Sequence, residues 1–183
     1  MPIKPEVLKV KQSARSRLFL VEELKLKFSN GVERTYERLA SRGNGAVMMI
    51  AIDSDNNLLL VREYAGGIED YTLSLPKGAV DAGETIFQAA DRELKEEVGF
   101  GANRIDFLKE MTTAPNYMGH KLQAVIARDL YPCKLEGDEP EPLEVVKWPL
   151  SDIDNLALNP EFTEGRAIAG LYMAKYFIEN LKD

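Results

Sequence analysis

Three glutamates near the middle of the 183-residue chain are spaced so that they could bind a divalent cation together. Glu93, Glu96 and Glu97 stand at positions i, i+3 and i+4, and side chains at this spacing share one sector of an α-helix. A hard cation such as Mg²⁺ takes carboxylate oxygens as ligands and removes the repulsion between these like charges. The spacing alone leaves open a second interpretation, an exposed acidic helix face paired with basic neighbours, because such charge runs are common.

The residues around these glutamates predict a glycine-bearing loop followed by a helix over residues 85–98. Thr85 and Gln88 match a capping box, which defines the start of a helix. Gly99 stands where helices commonly end, because Gly adopts the left-handed conformation without penalty. An apolar stripe beside the glutamates comprises Ile86, Ala90, Leu94 and Val98. We therefore expect the carboxylates at the rim of the buried helix face.

Residues 78–100 match the Nudix box, G-x5-E-x7-R-E-U-x-E-E-x-G-U, in which U is a bulky apolar residue. Every constrained position is present: Gly78, Glu84, Arg92, Glu93, Leu94, Glu96, Glu97, Gly99 and Phe100. So many constrained positions in one short segment make the match specific, and the chain resembles the Nudix hydrolases. The resemblance implies a Nudix αβα sandwich and hydrolysis of a nucleoside diphosphate that is linked to a second group.

The resemblance also implies roles for individual residues. The three glutamates are the expected catalytic ligands of Mg²⁺, with Mn²⁺ as an alternative ion, and the backbone carbonyl of Lys77 is the expected further ligand. Arg92 and Glu84 are expected to hold the loop and the carboxylates in place. The implied mechanism is metal-assisted attack of water on a phosphorus atom.

The likeness extends beyond the box to the ADP compounds hydrolases of the ADP-ribose pyrophosphatase branch. It is carried by residues 14–19, 28–32, 60–64, 130–132 and 135–143. It implies that ADP-ribose is the leading substrate and AMP a product, with NADH and diadenosine polyphosphates as further candidates. The alternatives are a nucleotide sugar or a nucleoside triphosphate as substrate, or a non-catalytic Nudix-fold regulator that binds nucleotides. Such regulators usually lack box glutamates, and this chain has them all.

Several residues outside the box are candidates for substrate binding. Pro115 stands about as far from Gly99 as a proline of this branch does, and Tyr117 is close to where diadenosine-polyphosphate hydrolases carry a tyrosine. An ordinary turn and a surface aromatic remain the alternative interpretations of these two. Arg62 follows an apolar strand and is suited to bidentate contact with a phosphate, although a salt bridge at the strand end is an equal alternative.

An acidic, proline-rich segment supplies the expected general base. Hydrolases of this branch place a glutamate just before a late strand, and alignment on residues 143–148 puts Glu141 near that position, with Glu139 as the alternative. A solvated loop is the other interpretation of this segment. The single histidine, His120, is expected to be a plain loop residue, and the single cysteine, Cys133, an inert thiol.

The N-terminal residues 1–43 are expected to form a small antiparallel β element. Residues 17–28 and 32–39 predict two strands, and the Asn30-Gly31 pair between them is a strong hairpin signal. A two- or three-stranded element of this size needs a surface to pack against, which could be its own domain or a second subunit. The family's ADP-ribose members are dimers whose N-terminal strands help to build the partner's adenine pocket. We therefore expect a homodimer, with Arg17 or Phe19 near the shared site.

Residues 44–183 are expected to form the hydrolase domain. Strands are predicted at 46–52, 58–62, near 107–111, 122–127 and 143–148, residues 71–84 predict a strand and then a loop, and a final helix is predicted over about 162–181. Strands interrupted by one helix and closed by another indicate an α+β fold with a mixed sheet.

Composition narrows the class of partner and the compartment. The formal charge of −7 argues against a protein that grips nucleic acid, because phosphate backbones need a basic surface. No apolar run approaches the roughly 20 residues of a membrane span. One cysteine excludes an intrachain disulfide, which suits a reducing compartment, so we expect a cytoplasmic protein with a small nucleotide substrate.

Overall fold

The computed structural model describes residues 2–41 and 43–180. The chain forms two compact units. One comprises the N-terminal residues as far as Gly45 together with Thr112–Lys121, and the other comprises Ala46–Met111 and the residues from Leu122 onward. The association of residues 112–121 with the N-terminal unit was not expected from the sequence.

The N-terminal unit is a three-stranded antiparallel sheet of β1 (Glu6–Arg15), β2 (Leu20–Lys27) and β3 (Glu33–Leu39), in that order. The predicted hairpin is confirmed as the β2–β3 pair. In its turn the Gly31 amide donates to the Phe28 carbonyl at 2.9 Å, and only Gly31 of the Asn-Gly pair has a positive φ, 82°. Leu24 is the one apolar side chain of the described strands in this sheet that is buried.

Residues 112–121 run beside β3. The Leu39 amide donates to the Tyr117 carbonyl at 2.7 Å, and the Gly119 amide donates to the Leu39 carbonyl at 3.1 Å. The segment is therefore hydrogen-bonded to the N-terminal sheet at Leu39, the last residue of β3.

The second unit contains a seven-stranded mixed sheet. Its strands are β4 (Ala46–Ile52), β5 (Asn57–Ala65), β6 (Asp70–Ser74), β7 (Lys77–Ala79), β8 (Phe100–Thr112), β9 (Lys121–Pro132) and β10 (Glu144–Pro149). The order is β10-β5-β4-β9-β8, with β6 beside β5 and β7 beside β4. Strands β4 and β9 are parallel, whereas β5 pairs antiparallel with β4, β6 and β10. The predicted mixed sheet is confirmed.

Helices cover both faces of this sheet. They are α1 (Ile86–Glu93), α2 (Ile153–Ala157) and α3 (Gly165–Glu179). Alternate residues of β4 belong to two separate hydrophobic clusters, so Met49 packs with α1 while Ile50 packs with α3. A strand buried on both faces must be apolar throughout, which is why residues 46–52 form a continuous apolar run. The result is the three-layer αβα arrangement that was expected.

The predicted final helix, 162–181, is wrong at its start. Helix α3 begins at Gly165, because the preceding Glu164 is extended, and Phe162 belongs to a turn in which its amide donates to the Asn159 carbonyl. Phe162 is 1% exposed, so its apolar character reflects core packing before the helix. Residue 181 lies outside the described residues. Helix α2 and the 3₁₀ turn Leu150–Asp152 before it were not expected.

The predicted regular helix over residues 85–98 is wrong in its last turn. Helix α1 continues into a π-helical turn, Leu94–Val98, which the Gly99 amide closes by donating to the Leu94 carbonyl. Gly99 has a φ of 78°, which confirms the predicted stop. The wider turn buries Leu94, Glu97 and Val98 together, and π turns of this kind occur frequently at functional sites. Within residues 2–41 and 43–180, no helix is long and apolar enough to cross a membrane.

Candidate active site

The box helix starts at a complete capping box. The Thr85 hydroxyl accepts from the Gln88 amide at 3.3 Å, and the Thr85 amide donates to the Gln88 side chain at 2.9 Å. The helix start is therefore determined locally, eight residues before the first of the three glutamates. The fixed start and the Gly99 stop place those glutamates at one end of the helix.

The Arg92 guanidinium joins three carboxylates of the box, Glu84, Glu93 and Glu96, through hydrogen bonds. It binds Glu84 through two bonds, Nε to Oε1 at 2.9 Å and Nη2 to Oε2 at 3.0 Å. Its Nη1 donates to Glu93 at 2.7 Å and to Glu96 at 2.9 Å, and Nη2 also donates to the Ala79 carbonyl at 3.0 Å. The hydrogen bonds that Arg92 donates to Glu84, and then those to Glu93 and Glu96, raise its pKa against the effect of burial.

Gly78 is needed because the Glu93 carboxyl group lies directly against its backbone. A Cβ atom at position 78 would stand 2.0 Å from the Glu93 Cδ atom. Real contacts of this kind do not approach so closely, so any side chain at position 78 would push Glu93 away. The first glycine of the box therefore makes room for a carboxylate.

Glu97 is the most buried of the three glutamates, at 8% exposure. Its Oε2 accepts from the Lys77 amide at 3.1 Å. Burial raises the pKa of Glu97 to about 8; the Lys77 ammonium opposes this rise, and the Glu93 charge adds to it. Burial also raises the pKa of Glu93, against the effect of Arg92. A buried carboxylate beside like charges is stabilised by a proton or by a bound cation.

Sequence reasoning missed Glu63 at this site. The Lys77 ammonium donates to Glu63 at 2.9 Å and to the Ser74 hydroxyl at 3.3 Å. This places Glu63, at the end of the apolar part of β5, beside the residue whose amide binds Glu97. The sequence signal that could have pointed to it is a carboxylate two residues after the apolar run 58–61.

The carboxylates line a cavity of about 300 Å³. One wall carries Glu93, Glu96 and Glu97, and the other is the acidic loop, residues 134–143, which connects β9 to β10. The structure therefore brings the box glutamates together with both candidate bases, Glu139 and Glu141.

The two candidate bases differ in their surroundings. Glu141 accepts a hydrogen bond from the Tyr71 hydroxyl at 2.6 Å, a contact for which the sequence carried no signal. For Glu139, burial and then the nearby Glu63 charge raise the pKa above its ordinary value. Of the two, Glu141 alone accepts a hydrogen bond from a side chain in the described part of the chain.

The donor set fits a hard divalent cation, although the side chains do not form a closed cage. Among the described residues, no three His, Cys, Asp or Glu side chains are grouped tightly enough to hold a metal ion as they stand. Arg92 Nη1 bonds to both Glu93 and Glu96, so these carboxylates face a guanidinium. Three carboxylates with the space that Gly78 leaves for one of them supply the oxygen ligands that Mg²⁺ or Mn²⁺ takes.

Arg62 lies in the same unit and is engaged with two carboxylates. Its Nε donates to Glu144 and its Nη1 to Glu161, both at 2.9 Å. The structure therefore shows the salt bridges that the alternative interpretation of Arg62 predicts. Both partners are exposed, so the guanidinium is not enclosed by them.

The remaining candidates belong to the N-terminal unit. Arg17 and Phe19 are exposed and lie between β1 and β2. Pro115, Tyr117 and His120 lie in the segment that follows β8, and Tyr117 is exposed. Cys133, in the second unit, is half-buried, and its amide donates to the Gly99 carbonyl at 3.0 Å.

Comparison with known families gives two matches along the chain. A model of the NUDIX domain matches residues 43–167, and a model of the NudE-type Nudix hydrolase N-terminal domain matches residues 5–38. The chain belongs to the Nudix hydrolase family.

Individual proteins agree with this assignment. This Nudix hydrolase is 50% identical to the ADP compounds hydrolase NudE of Escherichia coli, over 96% of this chain and 94% of that protein. It is 31% identical to the ADP-ribose pyrophosphatase of Mycobacterium tuberculosis, over 69% of this chain and 63% of that protein. A crystal structure of an ADP compounds hydrolase matches with a TM-score of 0.90 at 49% identity, covering 98% of this chain and 96% of that one. The expected Nudix fold is confirmed.

Proposed function

We propose that this Nudix hydrolase cuts the pyrophosphate bond of small ADP compounds, with ADP-ribose as the leading substrate and AMP as a product. NADH and diadenosine polyphosphates are further candidate substrates. The observation that carries the proposal is the intact frame of Arg92 and three glutamates in a cavity wall, in a chain half identical to an ADP compounds hydrolase.

Glu93, Glu96 and Glu97 are the proposed ligands of Mg²⁺, with Mn²⁺ as an alternative and the Lys77 carbonyl as a further ligand. A bound divalent cation would polarise phosphoryl oxygens and lower the pKa of a coordinated water. Arg92 orients two of the carboxylates, and its bidentate contact with Glu84 fixes the guanidinium in turn. Gly78 leaves the space that the Glu93 carboxyl group needs.

Glu141 is the proposed general base, with Glu139 as the alternative. A base must reach the attacking water, and the acidic loop brings both carboxylates to the cavity that the box glutamates line. The water would attack one phosphorus of the substrate, and the bond from that phosphorus to the bridging oxygen would break. From ADP-ribose the products are AMP and ribose 5-phosphate.

Arg62, Arg17, Pro115 and Tyr117 are the proposed substrate-binding residues. Arg62 would exchange its exposed partners, Glu144 and Glu161, for a phosphate, which a guanidinium can contact through two bonds.

A homodimer and a cytoplasmic location are part of the proposal, with residues 1–43 as the dimerisation element and 44–183 as the hydrolase domain. The support for the dimer is the N-terminal sheet, in which Val7, Val10 and Tyr36 are exposed apolar side chains. A sheet of three strands without its own core needs a surface to cover it. Sedimentation of the full chain should give twice the mass of one chain, and a monomer at micromolar concentration would contradict this part of the proposal.

A substrate panel with product analysis tests the activity. The panel contains ADP-ribose, NADH, a diadenosine polyphosphate, a uridine-containing nucleotide sugar and a nucleoside triphosphate, each with Mg²⁺ and with Mn²⁺. We expect the highest kcat/KM for an ADP compound, with AMP released. A preference for the nucleotide sugar or the triphosphate would overturn the substrate assignment, and no turnover of any member would overturn the enzymatic one.

A further inference from the structure

Among the residues that the structure describes, Tyr71 is the one side chain outside the acidic loop that hydrogen-bonds to the part of the loop carrying the candidate bases. Among the described residues, the segment 136–142 makes a single hydrogen bond, from the Tyr71 hydroxyl to Glu141 Oε1 at 2.6 Å. Pro140 and Pro142 flank Glu141 and have no amide hydrogen to donate, so backbone bonds are scarce here. The position of the Glu141 carboxylate therefore depends on the phenol.

The phenol itself is carried by a strand of the mixed sheet. Tyr71 lies on β6 and is paired in register with Tyr64 on β5. The two rings meet edge to face with their centres 5.5 Å apart, a favourable arrangement for aromatic rings. Packing against the Tyr64 ring favours the position in which the Tyr71 hydroxyl meets Glu141.

The hydrogen bond from Tyr71 uses one oxygen of the Glu141 carboxylate and leaves the second oxygen available. Glu141 Oε1 accepts from the phenol, and no other described residue donates to Oε2. A carboxylate held in this way has a defined orientation and one oxygen available for a water. The hydrogen bond to Glu141 raises the pKa of Tyr71, so the hydroxyl keeps its proton and remains a donor at neutral pH.

We propose that Tyr71 is a positioning residue for the reaction, which orients the Glu141 carboxylate at the cavity through the bond from its phenol. The proposal rests on the proposed function, because it needs Glu141 to act as the base. It favours Glu141 over Glu139 as the base, because Glu141 accepts this hydrogen bond and Glu139 accepts none from a described residue.

A double-mutant cycle tests the proposal with the full-length protein and ADP-ribose. Tyr71→Phe removes the hydroxyl and keeps the ring, so we expect kcat to fall about 5- to 20-fold with KM changed by less than about twofold. In a Glu141→Gln background the same substitution should change kcat by less than about 1.5-fold, because its partner no longer acts as a base. Tyr64→Phe is the matched control, since it keeps the edge-to-face pair, and it should leave kcat unchanged.

The outcomes distinguish failure of the positioning role from failure of the proposed function. If Tyr71→Phe turns over like wild type while wild type hydrolyses ADP-ribose, the positioning role is overturned and the proposed function stands. If the two substitutions multiply their effects, Tyr71 acts by another route and the proposal also fails. If wild type does not hydrolyse any ADP compound, the proposed function fails first. Thermal unfolding of each variant shows that the fold is intact, which the 47% exposure of Tyr71 leads us to expect.

Discussion

The box helix and the acidic loop present carboxylates to the same cavity, but the protein holds them in very different ways. Glu93 and Glu96 share Arg92, which Glu84 and the Ala79 carbonyl hold in turn. Within the described chain, residues 136–142 of the loop have one hydrogen bond, through Tyr71.

This difference matches the two tasks that we propose for these carboxylates. Carboxylates that bind a cation must keep a fixed geometry, which a bidentate guanidinium and a capped helix provide. A carboxylate that takes a proton from water needs one oxygen within reach of that water, and a single hydrogen bond to Glu141 leaves its second oxygen available. The box carboxylates and Glu141 thus differ in how many hydrogen bonds hold them.

The largest effect is expected at the most buried carboxylate of the helix. Glu97→Gln keeps the shape of the side chain and removes its charge, so kcat should fall about 10³-fold or more with ADP-ribose and Mg²⁺. Circular dichroism should show an intact fold, and calorimetry should show loss of divalent-ion uptake. Glu179→Gln, an exposed glutamate at the end of α3, is the control. Normal turnover of Glu97→Gln would remove the proposed metal site.

A smaller effect with a different signature is expected in the loop. Glu141→Gln should lower kcat about 10²-fold, because a positioned general base contributes about that much or more. Uptake of Mg²⁺ should remain as in wild type, since Glu141 is not a proposed ligand. Glu139→Gln is the matched comparison and should change kcat less than about threefold. If Glu139→Gln instead causes the large fall in kcat and Glu141→Gln the small one, Glu139 is the base.

Displacing one helix carboxylate without removing it should have an intermediate effect. Gly78→Ala places a Cβ atom against Glu93, and we expect kcat to fall about 30-fold from misplacement of that ligand. Gly67→Ala is the control, because nothing lies within 4 Å of a Cβ atom there and its φ is not positive. If the two variants have the same kcat, the close contact between Gly78 and Glu93 does not matter for activity.

The smallest effect, on stability and not on kcat, is expected for Asp53. This carboxylate accepts several hydrogen bonds and lies outside the cavity. Burial would raise the pKa of Asp53, but hydrogen bonds from Lys147, Asn57 and Asp55 outweigh it and lower the pKa to about 2. Because this value lies below that of the unfolded chain, the stabilisation is present above about pH 4 and is lost as the pH falls toward 2.

Asp53→Asn should therefore lower the free energy of unfolding at pH 7 by about 1 kcal/mol, with kcat unchanged. The deficit should shrink as the pH approaches 2, which urea titrations at several pH values would measure. Asp55→Asn is the control. A constant deficit at every pH would mean that the lost contacts do not depend on the charge of Asp53.

Local features of the fold and site were predictable because their causes lie within a few residues. The capping box of Thr85, the stop at Gly99 and the turn at Gly31 each depend on neighbours in the chain, and all three are present. The π-helical turn was not predictable, because periodicity assumes a constant rotation per residue. The start of α3 was misplaced because the buried Phe162 fits an apolar helix pattern equally well.

The sequence by itself determined the family, the order of the central elements and the identity of the box carboxylates, since a dense motif of short-range constraints carries them. Only the tertiary structure decided which distant residues meet. Tyr71 reaches Glu141 across 70 positions, and Arg62 reaches Glu161 across 99. Those contacts follow from strand order and register in the mixed sheet, which pairs β5 with both β6 and β10. Local patterns of hydrophobicity specify that a strand forms, but they do not specify which strand it joins.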